Sequence, residues 1–289
     1  MSLLLDEIAR ACARLAQAGI SSPRADAELI AAHLHGVSRG QLHLVADADF
    51  NPQFWDNIAR REAREPLQHI TGVSYFRYLD LVVGPGVFVP RPETEMLAGW
   101  AAEQLAAMDV AEPVVADLGT GSGAIALAIA QEVPRARVHA VEADPQARQW
   151  AARNIARTAE AAPHTAGRVT LHAGDFATAL AELDGGVDLV VSNPPYIEAG
   201  VALPPEVAEY DPAPALWSGP AGLDAIEVVE ASARRLLRQG GLVAVEHGET
   251  QGPAVYWIFA EEKGWRQTRN HPDLAGRDRF VTAAWRMQG

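Results

Sequence analysis

From Glu112 onward, short apolar runs alternate with longer helical stretches, and that alternation leaves few folds open. Strands are expected at 114–118, 137–141, 169–172, 187–192, 242–246 and 279–285, with helices at 124–132, 145–157, 222–238 and 252–263. Most of these runs are apolar along their length, as in strands buried on both faces. The series predicts a parallel sheet covered by helices on both sides. The alanine-rich stretch 159–166 reads as a loop.

The first seventy or so residues follow a different period. Leu4, Ile8, Ala11 and Leu15 recur at helical spacing until Gly19. Ser22-Pro23 supplies an N-cap and a first-turn proline for a helix through Leu34, which Gly36 ends. A short piece near Gln41 and a helix over 52–64 complete a small helical module. Between Ile70 and Val89 aromatic and β-branched residues take over, broken by Gly84-Pro85-Gly86, which predicts a β-hairpin. The expected organisation is a helical domain over 1–72, a hairpin linker over 73–90 and an α/β domain over 91–289. A chain of 289 residues is long enough for two such cores.

A formal charge of −13 argues against a surface built to coat phosphate backbones, so stable nucleic-acid binding is not expected. The single cysteine, Cys12, excludes an internal disulfide framework and suits a reducing compartment. No apolar run approaches the roughly 20 residues of a membrane span, and Leu3 to Leu5 meets Asp6 and Glu7 at once. A cytoplasmic protein without a membrane anchor is therefore expected. No histidine cluster suggests a metal.

The first strand of the α/β region runs straight into Asp117-Leu118-Gly119-Thr120-Gly121-Ser122-Gly123, after which a helix starts. Glycines let the chain turn tightly and a ligand approach the backbone, with free N–H groups of the helix start facing it. No lysine follows, as a triphosphate-binding P-loop requires. A dinucleotide fingerprint has its third glycine three residues after the second, and here the step is two. An acid followed by this glycine pattern resembles the Rossmann-like S-adenosylmethionine methyltransferases.

That resemblance implies S-adenosylmethionine as cofactor, held around Asp117, Gly119, Thr120, Gly121 and Gly123. It implies an acid at the end of the second strand for the ribose hydroxyls, a place Glu142 occupies with Asp144 as competitor. It further implies that Asp175 and Phe176, in Gly174-Asp175-Phe176, hold the adenine. Taken singly, each feature has an ordinary alternative: a packing turn, a solvated acid, a helix cap.

The strand at 187–192 delivers Asn193-Pro194-Pro195-Tyr196 to the carboxyl edge of the sheet, where ligands of open α/β sheets bind. An amide or aromatic-amine nitrogen is a poor nucleophile because its lone pair is delocalised. The side-chain oxygen of Asn193 and the carbonyl of Pro194 can each accept one N–H of a planar NH2 group and so hold its plane. Pro195 removes a donor and fixes φ, and Tyr196 can stack on the group. Asn193, Pro194 and Tyr196 are the expected catalytic residues, with Pro195 completing the acceptor site and Asn193 also beside the cofactor. No general base is assigned.

The tetrapeptide also resembles loops of adenine-N6 DNA, guanine-N2 ribosomal RNA and glutamine-N5 protein methyltransferases. The blocks that separate them are Glu65-Pro66-Leu67-Gln68-His69-Ile70-Thr71-Gly72 and Phe88-Val89-Pro90-Arg91-Pro92-Glu93-Thr94-Glu95. With Tyr210-Asp211-Pro212, Glu246-His247-Gly248 and the run Asp273 to Arg279, they resemble the glutamine methyltransferases of peptide chain release factors over nearly the whole chain. This implies a helical N-terminal domain, a hairpin and a seven-stranded Rossmann-like domain that methylates the glutamine of the release factor's Gly-Gly-Gln loop. Arg91-Pro92-Glu93, where sister enzymes of a ribosomal protein carry Arg-Ser-Pro, favours the release-factor branch. That family usually has Asp where this chain has Glu142. Arg91 or Glu95 is expected to contact the substrate backbone, although Thr94 could simply cap a helix. Asp278 and Arg279 are expected to pair. A nucleic-acid amine methyltransferase and a noncatalytic ligand-sensing module remain the alternatives.

Overall fold

The computed structural model describes residues 3–47 and 50–286. Contacts divide the chain into two units, one formed by 1–73, 83–85 and 203–210, the other by the remainder.

The smaller unit carries helices α1 (Leu3–Gln17), α2 (Pro23–Leu34), α3 (Gln53–Glu62) and α4 (Leu67–Thr71). Leu4, Ile8, Ala11 and Leu15 of α1 meet Ile30 of α2 and Phe54 and Ile58 of α3 in one apolar cluster. Ser22 precedes α2 but makes no side-chain cap bond. Residues 203–210, which lie within the 91–289 range in linear sequence, pack here instead. Their anchor is electrostatic: buried Arg61 bonds Asp26 at 2.7 Å and Glu206 at 3.2 Å, and Arg64 reaches Glu206 at 2.7 Å. An arginine sealed from water needs such partners to offset its lost hydration.

In chain order, the larger unit begins with the hairpin of β1 (Val73–Phe76) and β2 (Leu79–Val82), whose first residue belongs to the smaller unit. There follow α5 (Thr94–Ala107), β3 (Val114–Leu118), α6 (Ala124–Glu132), β4 (Arg137–Glu142), α7 (Pro145–Ala161), β5 (Val169–Ala173) and β6 (Val187–Ser192). After α8 (Pro205–Ala208), within the returning segment of the helical unit, come α9 (Asp224–Leu236), β7 (Leu237–Glu246), α10 (Gly252–Ile258), β8 (Trp265–Pro272) and β9 (Asp278–Trp285). The seven-stranded sheet has the order β5-β4-β3-β6-β7-β9-β8. All neighbours pair in parallel except β9 with β7 and with β8.

Alternation along the strands feeds two apolar layers. Val115, Leu189 and Val191 face α5 and α6, while Ala116, Val190 and Val243 face α9 and α10. The hairpin is not a free linker: Phe76, Leu79 and Leu81 enter the first layer, and Asn154 of α7 bonds both the N–H and carbonyl of Val82. Strand order reverses between β3 and β6, which opens a crevice at their carboxyl ends.

Four local expectations are corrected. The helix expected over 222–238 starts at Asp224 because Gly222 is left-handed (φ 69°), and Leu237 already belongs to β7. The stretch expected as a loop at 159–166 continues α7 to Ala161. The helix expected over 252–263 breaks at Ile258 into a separate turn at Glu261–Lys263. Arg279 pairs with Asp273 at 3.3 Å rather than with Asp278, since successive strand residues point to opposite faces.

Candidate active site

One cavity of about 300 Å³ opens at the crevice, and the glycine turn and the loop after β6 both line it. On the first side, Asp117 is fully buried and lies behind the cavity wall. Its Oδ2 accepts from the Thr120 hydroxyl at 2.6 Å and from Ala126 N–H at 3.1 Å, which fastens the turn to α6. Burial pushes its carboxyl up to about 7 despite those two bonds. Oδ1 is a buried acceptor without a partner, so a donor at this end of the site would be matched.

Gly119 and Gly121 are left-handed (φ 78° and 57°), and a Cβ on either would meet nothing within 4 Å. Their backbone is thus bare toward the cavity. Several of the turn's N–H groups are spent within the protein: Gly119 and Thr120 donate to the Val141 carbonyl, and Gly121 donates to Glu142 Oε2 at 2.8 Å. The strand end beside the turn takes them up. Glu142 and Asp144 are the charged cavity residues, and neither Lys nor Arg lines it. This wall suits a cation or hydroxyl groups and opposes a phosphate.

The two competing acids differ in what they hold. Asp144 caps α7, its Oδ1 accepting from Gln146 and Ala147 N–H at 2.7 and 2.9 Å. Glu142 accepts from Gly121 and, at 2.9 Å, from Asp144 N–H, and burial raises its pKa against these bonds. Phe176 lines the cavity, whereas Asp175 is exposed and its side chain accepts from Ala177 N–H at 2.7 Å. Gly123 opens α6 as its left-handed N-cap without lining the cavity.

On the second side, Asn193, Pro194, Pro195 and Tyr196 all line the cavity. Ser192 ties the end of β6 to β3 through the Leu118 carbonyl at 2.6 Å. Asn193 Nδ2 donates to Thr94 Oγ1 at 3.1 Å, which leaves Oδ1 as the open end of the amide. Among the described residues, no hydrogen bond goes to that oxygen or to the carbonyl of Pro194. The Tyr196 phenol donates to Glu246 Oε1 at 3.2 Å, and burial raises its pKa further, so it stays neutral. Gln251 Nε2 donates to the carbonyls of Tyr196 and Ala221, each at 3.0 Å.

Thr94 is the first residue of α5, not its side-chain cap. Its hydroxyl is engaged by Asn193 instead. Arg91 bonds sealed Asp211 at 2.5 Å and covers the Phe88 ring at 4.9 Å, so it braces the wall formed by Phe88 and Pro212. Neither Arg91 nor Glu95 lines the cavity. The sequence offered Thr94 only as a possible cap, Glu246 only as part of a resembling block and Gln251 not at all, because nothing local marks a residue that braces a loop from another strand or helix.

A model described as "PrmC N-terminal domain" matches residues 7–72, and one described as "Methyltransferase small domain" matches 94–209. The chain is 59% identical over 285 residues to a release factor glutamine methyltransferase of Streptomyces coelicolor, covering 98% of each. It is 40% identical over 274 residues to a 4-amino-L-phenylalanine/4-methylamino-L-phenylalanine methyltransferase of Streptomyces pristinaespiralis, covering 93% of this chain and 90% of that one. A solved release-factor-specific protein-(glutamine-N5) methyltransferase from Alicyclobacillus acidocaldarius is 30% identical, with a TM-score of 0.44, covering 71% of this chain and 99% of the other.

Proposed function

This chain belongs to the release factor glutamine methyltransferase family, and on that premise we propose its reaction. It moves a methyl group from S-adenosylmethionine to the side-chain nitrogen of the glutamine in the Gly-Gly-Gln loop of peptide chain release factors. The observation that carries this reading is the single cavity with an acidic glycine turn at one end and two open acceptors, Asn193 Oδ1 and Pro194 O, at the other.

The cofactor, when bound, supplies a methyl made electrophilic by its sulfonium. The bare backbone at Gly119 and Gly121, the Glu142 carboxylate and the Phe176 ring would hold it, and the unmatched Asp117 Oδ1 fits a donor nearby. A cavity free of Lys and Arg favours that cation over a phosphate ligand. Asn193 Oδ1 and the Pro194 carbonyl accept the two N–H bonds of the glutamine amide, which orients its plane and lets its lone pair meet the methyl. Tyr196, neutral and pinned to Glu246, offers its ring rather than a base. The amide proton leaves during or after transfer. Arg91 and Glu95 act on the substrate backbone outside the cavity or through the wall Arg91 braces. A role on release factors would be carried out in the cytoplasm, and among the described residues no helix is long and apolar enough to cross a membrane.

The test is a panel of acceptors with isotopically labelled methyl donor: a release factor, ribosomal protein, RNA, DNA and 4-amino-L-phenylalanine. Label confined to the release factor is the expected result. The aromatic amine belongs in the panel because a relative at 40% identity is named for it and it too presents a planar NH2. Label on any other acceptor and none on the release factor overturns the reading.

A further inference from the structure

The acceptor loop cannot fix itself with its own polar groups. Pro194 and Pro195 have no N–H to donate, and the Pro194 carbonyl is useful only while it stays open. The hold must come from outside. Among the described residues, the main chain of 194–196 makes one hydrogen bond, the one that Gln251 Nε2 donates to the Tyr196 carbonyl at 3.0 Å. The chain is tied down again at Ile197, whose N–H donates to the Leu216 carbonyl at 2.9 Å. The Tyr196 phenol is held separately, by Glu246.

Gln251 is buried at the start of α10 and does not line the cavity, so any effect it has on an acceptor passes through the residues it holds. Its amide is fully engaged. Oε1 accepts from Gly248 N–H at 2.8 Å, and Nε2 serves the carbonyls of Tyr196 and Ala221. These partners fix the sense of the amide: turned over, it would set an oxygen against two carbonyl oxygens and an NH2 against an N–H. Room behind the loop is short as well. A Cβ on Gly222 would lie 2.3 Å from the Tyr196 carbonyl oxygen and 2.5 Å from Gln251 Nε2.

We propose that Gln251, by holding the Tyr196 carbonyl, is the positioning residue that sets the Pro194 carbonyl toward the acceptor. This rests on the reading that the Pro194 carbonyl accepts an N–H of the substrate. With φ fixed at both prolines, few torsions of the loop stay free, and the bond to Tyr196 restrains the last of them. Once released, the segment pivots between its anchored ends at Asn193 and Ile197 and carries the open carbonyl off the nucleophile's N–H.

The isosteric change Gln251→Glu tests this, because it keeps an oxygen for Gly248 N–H and removes the NH2 from between the two carbonyls. Its kcat on the release factor should fall about 100-fold, the effect of a misplacement near 1 Å. Calorimetric affinity for the methyl donor and KM for the release factor should stay within about twofold. Gln251→Met loses all three bonds but sets no oxygen against the carbonyls, so its kcat should fall less, about 10-fold. A Gln251→Glu enzyme with undiminished kcat overturns the proposal, as does a loss shared equally by donor affinity. A smaller loss in Gln251→Glu than in Gln251→Met also overturns it, since the bond to Gly248 would then be the one that matters. If Gln251→Glu does not fold, Gln251→Met decides: undiminished kcat or a matching loss of donor affinity overturns the proposal. Wild-type transfer to the release factor is the control. Its absence overturns the functional reading and this inference with it, whereas wild-type transfer with an indifferent Gln251→Glu overturns only the role of Gln251.

Discussion

The two ends of the cavity are held by opposite means. At the glycine turn the fixing bonds are local: Thr120 to Asp117 spans 3 positions and Gly121 to Glu142 spans 21. At the acceptor loop they are remote: Asn193 to Thr94 spans 99 positions, Gln251 to Tyr196 spans 55 and Tyr196 to Glu246 spans 50. The donor end spends the N–H groups of Gly119, Thr120 and Gly121 on its own chain and presents acids. The acceptor end keeps two oxygens unmatched and is braced from behind by helix α5, strand β7 and the start of α10. An unmatched acceptor at a cavity wall is costly to the free protein and useful only when a substrate supplies the donor.

Asn193→Ala should give the largest effect and separates the two ends most sharply. Single-turnover transfer should fall by about a thousandfold, the upper range for loss of one oriented polar contact in catalysis, while donor affinity measured by calorimetry stays put. A matching loss of donor affinity would merge the two ends into one structural unit and break the comparison.

Next in size is Gly222→Ala. Gly222 is left-handed, and a Cβ there would lie 2.3 Å from the Tyr196 carbonyl oxygen. Strain and collision together should lower stability by roughly 2–3 kcal/mol and depress kcat more than donor affinity. Thermal unfolding and steady-state rates would show whether the acceptor loop is as rigidly backed as described.

The donor end was more legible in the sequence than the acceptor end, and the spans above explain why. A turn, its acid and the acid of the next strand lie within one βαβ unit, so periodicity and glycine spacing expose them. Asn193 to Tyr196 could be read as a loop with chemistry, but Thr94 looked like a cap and Glu246 like the end of an apolar run. Their roles exist only once α5 and β7 lie beside β6. Strand β8 was missed because Trp265–Pro272 is a polar edge strand whose one deep anchor is Trp265, bonded to Glu230 at 2.8 Å. Residues 203–210 escaped for a related reason: Glu206 is an ordinary surface acid until Arg61 and Arg64 are seen.

A smaller effect should divide the two acids of the donor end. Glu142→Ala should weaken donor binding about 10-fold, or roughly 1.4 kcal/mol, and cost about 1 kcal/mol of stability because the Gly121 and Asp144 N–H groups lose their acceptor. Asp144→Ala should cost about 1 kcal/mol of stability through the lost cap of α7 but leave binding within about twofold. Reversed outcomes would exchange their roles.

A further effect is on pH dependence. Asp117 and Glu246 are both pushed up to about 7 by burial, well above ordinary carboxylates. An acid with a raised folded pKa contributes stability at low pH that is lost as pH climbs from its ordinary range through about 7. Melting temperature should therefore decline between about pH 4 and pH 7, and Asp117→Asn and Glu246→Gln should each flatten that decline. An unchanged slope in either variant would mean that its carboxyl is already ionised in the fold, and the contrast between the matched and unmatched ends would need another basis.

The most direct measurement is peptide mapping by mass spectrometry of a release factor after a single turnover with wild-type enzyme and with Asn193→Ala, each saturated with methyl donor. One methyl on the Gly-Gly-Gln glutamine with wild type, and almost none with the variant at equal donor occupancy, is the expected result. Equal methylation by both enzymes, or methyl on another residue, would contradict the assignment of the acceptor loop.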